Sequence, residues 1–274
     1  MAEAQRPTGL PHVLWLGGIS GVGKTSAALE FSRRYDVRLF SAGQTFTHSE
    51  ELVREARMLE EYADARGGEL AAAYEAIARE RFRVAVDRLL ALPDDAPVLA
   101  EGRFLLPDLV APFAASPQHA LFAVAAEAMQ RRTLATRRRE KSDAAAQARF
   151  VLDQAIADRI VSAAEERRLT VVEVQDPADV FPAVEAQFVP VLRPWLEGDV
   201  RVGRAQRRRE MNDERLRYIR GRMHASGFTG DPVLRLRCEC DDDCSERFAV
   251  TLQEAEAARA NGRPLLARGH VAPR

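Results

Sequence analysis

The segment that most constrains the fold of this chain is Gly18-Ile19-Ser20-Gly21-Val22-Gly23-Lys24-Thr25. It matches the pattern G-x-x-x-x-G-K-[ST], and the apolar run Val13-Leu14-Trp15-Leu16 leads directly into it. The match is specific because lysine is rare in this arginine-rich chain, where Lys24 and Lys141 are the two lysines among 40 basic residues. A strand, a glycine-rich turn and a helix that begins at Lys-Thr are the context in which this pattern holds phosphates. The segment therefore predicts a phosphate-binding loop in an α/β fold.

Each residue type in the loop has a physical role. Glycines let successive backbone N–H groups point at phosphate oxygens, and the dipole of the following helix adds positive potential there. Lys24 is expected to reach the β- and γ-phosphates of a nucleotide, and Thr25 to bind Mg²⁺. Ser26 suits either a phosphate donor or a small helix position. ATP is favoured over GTP because the sequence contains no N-K-x-D guanine motif. The predicted contacts to the cofactor come from Gly18, Ser20, Gly21, Val22, Gly23, Lys24, Thr25 and Ser26.

Length and composition fit an enzyme with one main domain and a small appendage. The chain has 274 residues, of which 46% are hydrophobic, and a formal net charge of −1. The near-neutral charge argues against a general nucleic-acid binder. No stretch approaches the roughly 20 apolar residues of a membrane span, and the N-terminus lacks the cationic and apolar regions of a signal peptide. We therefore expect a cytoplasmic protein without a membrane partner.

Apolar runs separated by helical patterns predict a parallel sheet with helices between its strands. A helical excursion at 44–92, interrupted at Gly67-Gly68, is expected to carry the acceptor substrate or to be a purely structural helical pair. A second helical region, 126–168, is predicted to form a lid. Together these elements predict a nucleotide-binding domain over 1–195, with a P-loop NTPase three-layer sandwich as its fold. The predicted strands are 12–17, 37–41, 97–101, 119–124 and 170–174.

Acidic and basic side chains near the predicted strand ends are candidates for catalysis. Glu101 ends the third strand, where it would hold Mg²⁺, act as general base, or be an ordinary strand-terminal carboxylate. Arg131 and Arg132 lie in a cationic helix after the fourth strand, as a phosphoryl-transfer lid requires. A solvated basic helix face would show the same pattern. The candidate catalytic set is Lys24, Glu101, Arg131 and Arg132.

Four pieces of the chain carry a family resemblance: Leu14 to Gly18, Gly21 to Thr25, Ala100-Glu101-Gly102 with Leu105-Leu106-Pro107, and Cys238-Glu239-Cys240 through Gly269-His270. With them, residues 12 to about 190 resemble the P-loop small-molecule and nucleotide kinases, including shikimate, gluconate and adenylate kinases and chloramphenicol phosphotransferase. The chain resembles more closely a group of P-loop proteins from high-GC bacteria with a C-terminal Cys-Glu-Cys…Cys…Gly-His segment. The resemblance implies the fold more than the reaction.

One departure from the kinase pattern concerns the acceptor. Those kinases usually place an Asp just after the second strand, whereas this chain has Gly43 there. The base would then be Glu101, His48 or another group, or no phosphoryl acceptor exists. His48 has an ordinary pKa suited to proton transfer at neutral pH, although a His near a helix start is commonly a surface residue.

The C-terminal fifth of the chain has a different composition. Residues 196–230 contain a helix of mixed charge. Because opposite charges at this spacing can form i,i+4 pairs, a solvated connecting helix is favoured over a nucleic-acid arm. Residues 231–274 are expected to form a small module with a strand at 233–237 and a helix at 252–261. All 3 cysteines lie there, and Cys238, Cys240, Cys244 and His270 form a tetrahedral zinc set. Reduced free cysteines and a redox role are the alternatives.

The favoured function is therefore Mg·ATP-dependent phosphoryl transfer to a small hydroxyl-bearing or nucleotide acceptor, with structural zinc in the C-terminal module. The main alternative is a nucleotide-binding regulator or adaptor with little ATP turnover, whose C-terminal module docks a protein partner. A third hypothesis is a nucleic-acid-linked ATPase that uses the basic helix.

Overall fold

The computed structural model describes residues 10–44, 58, 67–137, 143–198, 203–242, 244 and 246–272. His48 and the first half of the predicted helical excursion lie outside these residues, apart from Met58. The second half of the excursion is a long helix that begins at Gly67, where the glycine pair predicted an interruption.

Five parallel strands form the central sheet, as the apolar runs predict. The strands are β1 (Val13–Gly18), β2 (Arg38–Ser41), β3 (Val98–Glu101), β4 (Ala120–Ala125) and β5 (Thr170–Val174). Their order across the sheet is β2-β3-β1-β4-β5, so β1 is central and β2 and β5 are the edges. Every residue of β1, β3 and β4 is buried, as is typical of parallel strands covered on both faces.

Helices cover both faces of this sheet. They are α1 (Lys24–Tyr35), α2 (Gly67–Leu90), α3 (Pro107–Val110), α4 (Glu127–Arg137), α5 (Asp143–Arg167) and α6 (Val180–Leu196). Helix α1 packs against α6, and α2 packs against α5. Because parallel strands are joined by right-handed crossovers, the strand order places these two pairs on opposite faces. The chain is thus α/β with a five-stranded parallel sheet between two helical layers.

The C-terminal part contains helix α7 (Arg204–Ser226), an antiparallel hairpin of β6 (Val233–Arg237) and β7 (Arg247–Thr251), and helix α8 (Leu252–Ala260). Helix α7 contacts β2 on one side and β6 and α8 on the other. A small separate core of leucine and alanine side chains lies between the hairpin, α7 and α8. The strand and helix predicted in this module are confirmed.

The charged helix is solvated in its second half, where Arg217, Arg220 and Arg222 are exposed, but not in its first turns. Arg204, Arg207 and Arg208 are each 5% exposed or less. Arg204 and Arg208 form ion pairs with Asp36, which follows α1, and Glu210 pairs with the buried Arg38 of β2. The charges of α7 therefore attach the C-terminal module to the edge of the main sheet. Within the described ranges, no helix has the length and apolar character needed to cross a membrane.

Candidate functional site

The glycine-rich loop runs from the end of β1 to the start of α1. Gly18, Gly21 and Gly23 have φ values of 126°, 86° and 101°, in the left-handed region that favours glycine. A side chain at Gly18 would overlap the backbone of Ala123, and one at Gly23 would overlap the carbonyl of Pro177. The loop backbone is therefore held tightly between β4 and the turn after β5.

The remaining loop residues divide into buried and accessible groups. Lys24 is 6% exposed, and its Nζ donates to the carbonyl oxygen of Ile19 across the loop. The side chain of Val22 is buried in the main core, so only its backbone is available to a ligand. Ser20 is half-buried, and Thr25 is exposed on the first turn of α1.

Thr25 lies beside the carboxylate of Glu101. Thr25 Oγ1 donates to Glu101 Oε2 over 3.2 Å, and Ser41 Oγ donates to Glu101 Oε1. Pairing of β3 with β1 and β2 sets Glu101 opposite Leu16 and Ser41, at the carboxyl edge of the sheet. A buried carboxylate with two hydroxyl groups is an oxygen set of the kind that a hard divalent cation prefers.

A cavity of about 240 Å³ opens next to this cluster and extends to the C-terminal module. One wall is formed by the main domain and contains Thr25, Ser41 and Glu101. The opposite wall, from α7 and the hairpin, contains Glu214, Arg215, Arg235, Arg237 and Arg247. Sequence reasoning missed this second wall, since none of those five residues lies in a recognised motif.

Glu214 has an unusual environment among these residues. Burial raises the pKa of its carboxyl from 4.5 to about 7, and the charge of Glu101 acts in the same direction. Arg217 and Arg88 oppose the increase. Glu214 therefore brings a second carboxyl, with a proton that exchanges near neutral pH, into the cavity that contains Glu101.

The two arginines predicted to form a lid lie elsewhere. Arg131 pairs with Glu127 at 2.7 Å and lies 4.0 Å from the centre of the Phe150 ring. Arg132 donates to the carbonyl of Gln175 over 3.3 Å. Both are exposed, and neither lines the cavity that contains Thr25 and Glu101.

Ser26 and Gly43 differ in what surrounds them. Ser26 is exposed on α1 and lines a neighbouring cavity of about 260 Å³, together with Arg208, Arg237 and Arg247. It thus faces the C-terminal module. Among the described residues, a Cβ added at Gly43 would meet nothing within 4 Å.

The four residues predicted to bind zinc are brought together. Ligand atoms of Cys238, Cys240, Cys244 and His270 all lie within 4.8 Å of one another, with His270 Nδ1 3.4 Å from Cys240 Sγ. Backbone N–H groups donate to the sulfurs of Cys238 and Cys244. Burial, and secondarily the other two thiols, raise the pKa of Cys240 to about 12. Three thiols this close favour a bound cation, which stabilises the thiolate forms that metals require.

Glu239, between the first two cysteines, has a structural role that sequence reasoning did not recognise. It is 1% exposed and accepts hydrogen bonds from Asn212, Arg259 and the backbone N–H of Leu265. Its carboxylate therefore joins α7, α8 and the C-terminal segment around the cysteines. Asp241 also has a partner, because it accepts from the N–H of Ala205 at the start of α7.

Comparison of the sequence with protein-family models finds no match, and comparison with curated proteins finds none either. What the chain does is therefore inferred from its own residues.

Proposed function

We propose that this protein is a Mg·ATP-dependent phosphotransferase on a P-loop NTPase fold, acting on a small hydroxyl-bearing or nucleotide acceptor. The observation that carries the proposal is the juxtaposition of a left-handed glycine loop, Lys24 and Thr25 with the carboxylate of Glu101, 3.2 Å from the Thr25 hydroxyl. The strand order supports it. After β1 the chain continues toward the β2 edge of the sheet, and after the adjacent β4 it continues toward the β5 edge, so the direction of the connections reverses between β1 and β4. Ligands of open α/β sheets bind at such a reversal.

The roles of the loop residues follow from their positions. Backbone N–H groups of the loop and the start of α1 would bind the phosphates. Lys24 would exchange its bond to the Ile19 carbonyl for phosphate oxygens. Thr25 and Glu101 would hold Mg²⁺, whose chemistry is to neutralise charge on the β- and γ-phosphates.

Gly43 has no carboxylate, so another residue has to accept the proton of the acceptor hydroxyl. Both oxygens of Glu101 already accept hydrogen bonds, from Thr25 and Ser41. Glu214 lines the same cavity from the opposite wall, and we assign it as the group that receives the proton.

The test is ATP binding and ADP release by the purified full-length protein with Mg²⁺. An acceptor panel would comprise nucleosides, nucleotides, sugar acids, shikimate-like polyols and aminoglycoside- or phenicol-type antibiotics. We expect Lys24→Ala to abolish ATP binding or turnover, while Arg79→Ala, on an exposed face of α2, behaves as the wild type. Unchanged ATP affinity and rate in Lys24→Ala would contradict the assignment.

The alternative of a nucleotide-binding adaptor is favoured by one observation, the absence of an acid at Gly43. Tight ATP binding without acceptor-stimulated ADP release would select it. The nucleic-acid hypothesis gains no support from the first turns of α7, because Arg204, Arg207 and Arg208 are buried against the main domain.

We also propose that the Cys/His cluster binds one structural Zn²⁺. Three sulfurs and one imidazole nitrogen within 4.8 Å suit tetrahedral zinc, and a module this small gains stability from a metal. Elemental analysis is expected to find about one zinc per chain, and less in Cys240→Ser. A folded, metal-free wild-type preparation would exclude the proposal.

A further inference from the structure

The hairpin of the C-terminal module has two faces of opposite character. Leu234 and Leu236 of β6 face the small core with Phe248 and Val250 of β7. Because side chains alternate along a strand, Arg235, Arg237 and Arg247 share the other face. The apolar face attaches the hairpin to α7 and α8, which leaves the arginine face available to a ligand.

The arginine face concentrates positive charge. Arg237 and Arg247 are directly opposite each other in the hairpin register, and like charges in such a pair are destabilising. Burial, with the nearby charges of Arg247 and Arg208, lowers the pKa of Arg237 to about 10, and the charge of Asp36 opposes this decrease. Within the described residues, Arg235, Arg237 and Arg247 form no ion pair with a carboxylate. An anion would relieve this repulsion.

This face lies across the cavity from the candidate phosphoryl-transfer site. Arg235, Arg237 and Arg247 line the cavity of about 240 Å³ that also contains Thr25 and Glu101, and Arg215 of α7 joins them. Arg237 further donates to the carbonyl of Leu29 in α1, so the hairpin is held against the main domain. A ligand bound by these guanidinium groups would therefore extend toward Thr25 and Glu101.

We infer that the arginine face of β6 and β7 binds the anionic group, phosphate or carboxylate, of the acceptor substrate. This inference rests on the proposed phosphotransferase function and names its substrate class. Guanidinium groups bind such anions by charge-assisted, often bidentate hydrogen bonds. The C-terminal module thus supplies the acceptor subsite, and the main domain supplies the loop.

Arg235 and Arg247 are the residues to change, because both are exposed and neither donates to a described residue of the main domain. Arg237 is left intact, since its bond to Leu29 contributes to docking of the hairpin. The test variant is Arg235→Ala/Arg247→Ala, and the matched control is Arg222→Ala, which removes an exposed arginine from α7. Equal melting temperatures would establish that the variants are folded.

The first measurement uses inorganic phosphate and gluconate as probes, titrated calorimetrically into full-length Lys24→Ala protein. That background weakens binding at the glycine loop, so it isolates the arginine face. We expect phosphate or gluconate to bind, the double arginine variant to weaken binding about tenfold or more, and Arg222→Ala to leave it unchanged. Which probe binds identifies the anion. No binding of either, or binding unaffected by the double variant, would overturn the inference.

The second measurement uses the pairs AMP and adenosine, and gluconate and glucose, as acceptors for ADP release. An anionic member is expected to be the better acceptor, and the double variant to raise its KM about tenfold with little change in kcat. A preference for the neutral members would contradict the inference. A failure of the phosphotransferase proposal itself is distinguished from a failure of this inference by ATP turnover in Lys24→Ala, since normal turnover in that variant would contradict the proposed function.

Discussion

Gly23 joins the loop to α1 and shows how closely the backbone constrains this site. Its φ of 101° strains any L-residue, and an added Cβ would overlap the Pro177 carbonyl. We expect Gly23→Ala to lower the free energy of unfolding by at least roughly 1–3 kcal/mol, measured by urea denaturation.

The matched control is Gly68→Ala, in the first turn of α2. A Cβ there meets nothing within 4 Å in the part of the chain that the structure describes, and alanine favours helix more than glycine does. This variant is expected to be neutral or stabilised by up to about 1 kcal/mol. If both variants lost equal stability, backbone strain at Gly23 would not be the cause.

Glu214 predicts a pH dependence of stability. Its pKa is raised from 4.5 to about 7 in the folded protein, so between these values the folded state binds the proton more tightly than the unfolded state. The free energy of unfolding therefore falls as pH rises through this window, and the loss is complete above about pH 7. Glu214→Gln should remove it, stabilising the protein by roughly 1–3 kcal/mol at pH 8 and much less at pH 5.

The comparison requires urea denaturation at both pH values and a control at Glu173, an exposed carboxylate of β5. Glu173→Gln is expected to change stability equally at pH 5 and pH 8. A gain in Glu214→Gln that does not depend on pH would show that the Glu214 carboxyl is not protonated preferentially in the fold.

The loop residues could be predicted from the sequence and Glu214 could not. The loop is one contiguous segment, so its glycines, Lys24 and Thr25 are adjacent in the chain and in space. Glu214 shares a cavity with Glu101 only because a helix more than 100 residues later in the chain packs beside β2. Proximity in the chain also explains the arginines of α4, which were predicted to act at the site. Arg131 instead pairs with Glu127, four residues earlier in the same helix.

At the scale of elements, the positions of the strands could be predicted from the sequence. What packs against each face of a strand could be predicted only in part. The alternation Leu234-Arg235-Leu236-Arg237 predicts a half-buried strand, but it does not show what lies across from the arginines. Similarly, the charges of α7 suggest i,i+4 pairs, whereas Glu210 pairs with Arg38 of another element. Long-range ion pairs of this kind have no periodicity to detect.

A substitution at Glu239 tests how the helices and strands of the C-terminal module are held together. It is buried and paired with Arg259, which also pairs with Asp213. Removing one partner of a buried charge pair leaves the other uncompensated, so Glu239→Ala should cost about 3 kcal/mol. Because Asn212 and Leu265 lose an acceptor as well, the loss should appear as increased amide exchange in α8 and β6.

Gln253→Ala provides the control, since this side chain is exposed on α8. It should leave both stability and amide exchange unchanged. If Glu239→Ala were equally silent, its carboxylate would not hold the module together.

At the scale of the whole molecule, the Cys/His cluster and the candidate substrate cavity are connected through a short chain of contacts. Arg208 donates to the carbonyl of Cys240 over 2.9 Å and pairs with Asp36 at the end of α1. Asn212 binds both the N–H and the carbonyl of Arg237, which directly precedes Cys238. Disorder at the cluster would therefore also disturb the hairpin and weaken the contacts that attach it to the main domain.

This connection predicts that metal removal affects ligand binding at the arginine face. Treatment with 1,10-phenanthroline is expected to lower the melting temperature and to weaken binding of the anion probe, phosphate or gluconate, to Lys24→Ala protein about tenfold or more. The control is the chelator added to Lys24→Ala/Cys240→Ser, which should already be weakened and show no further change. Because the loop lies in the main domain, ATP binding by chelated wild-type protein should change much less. Equal loss of ATP and anion-probe binding would instead indicate global unfolding, and full retention of probe binding would show that the hairpin keeps its position without the metal.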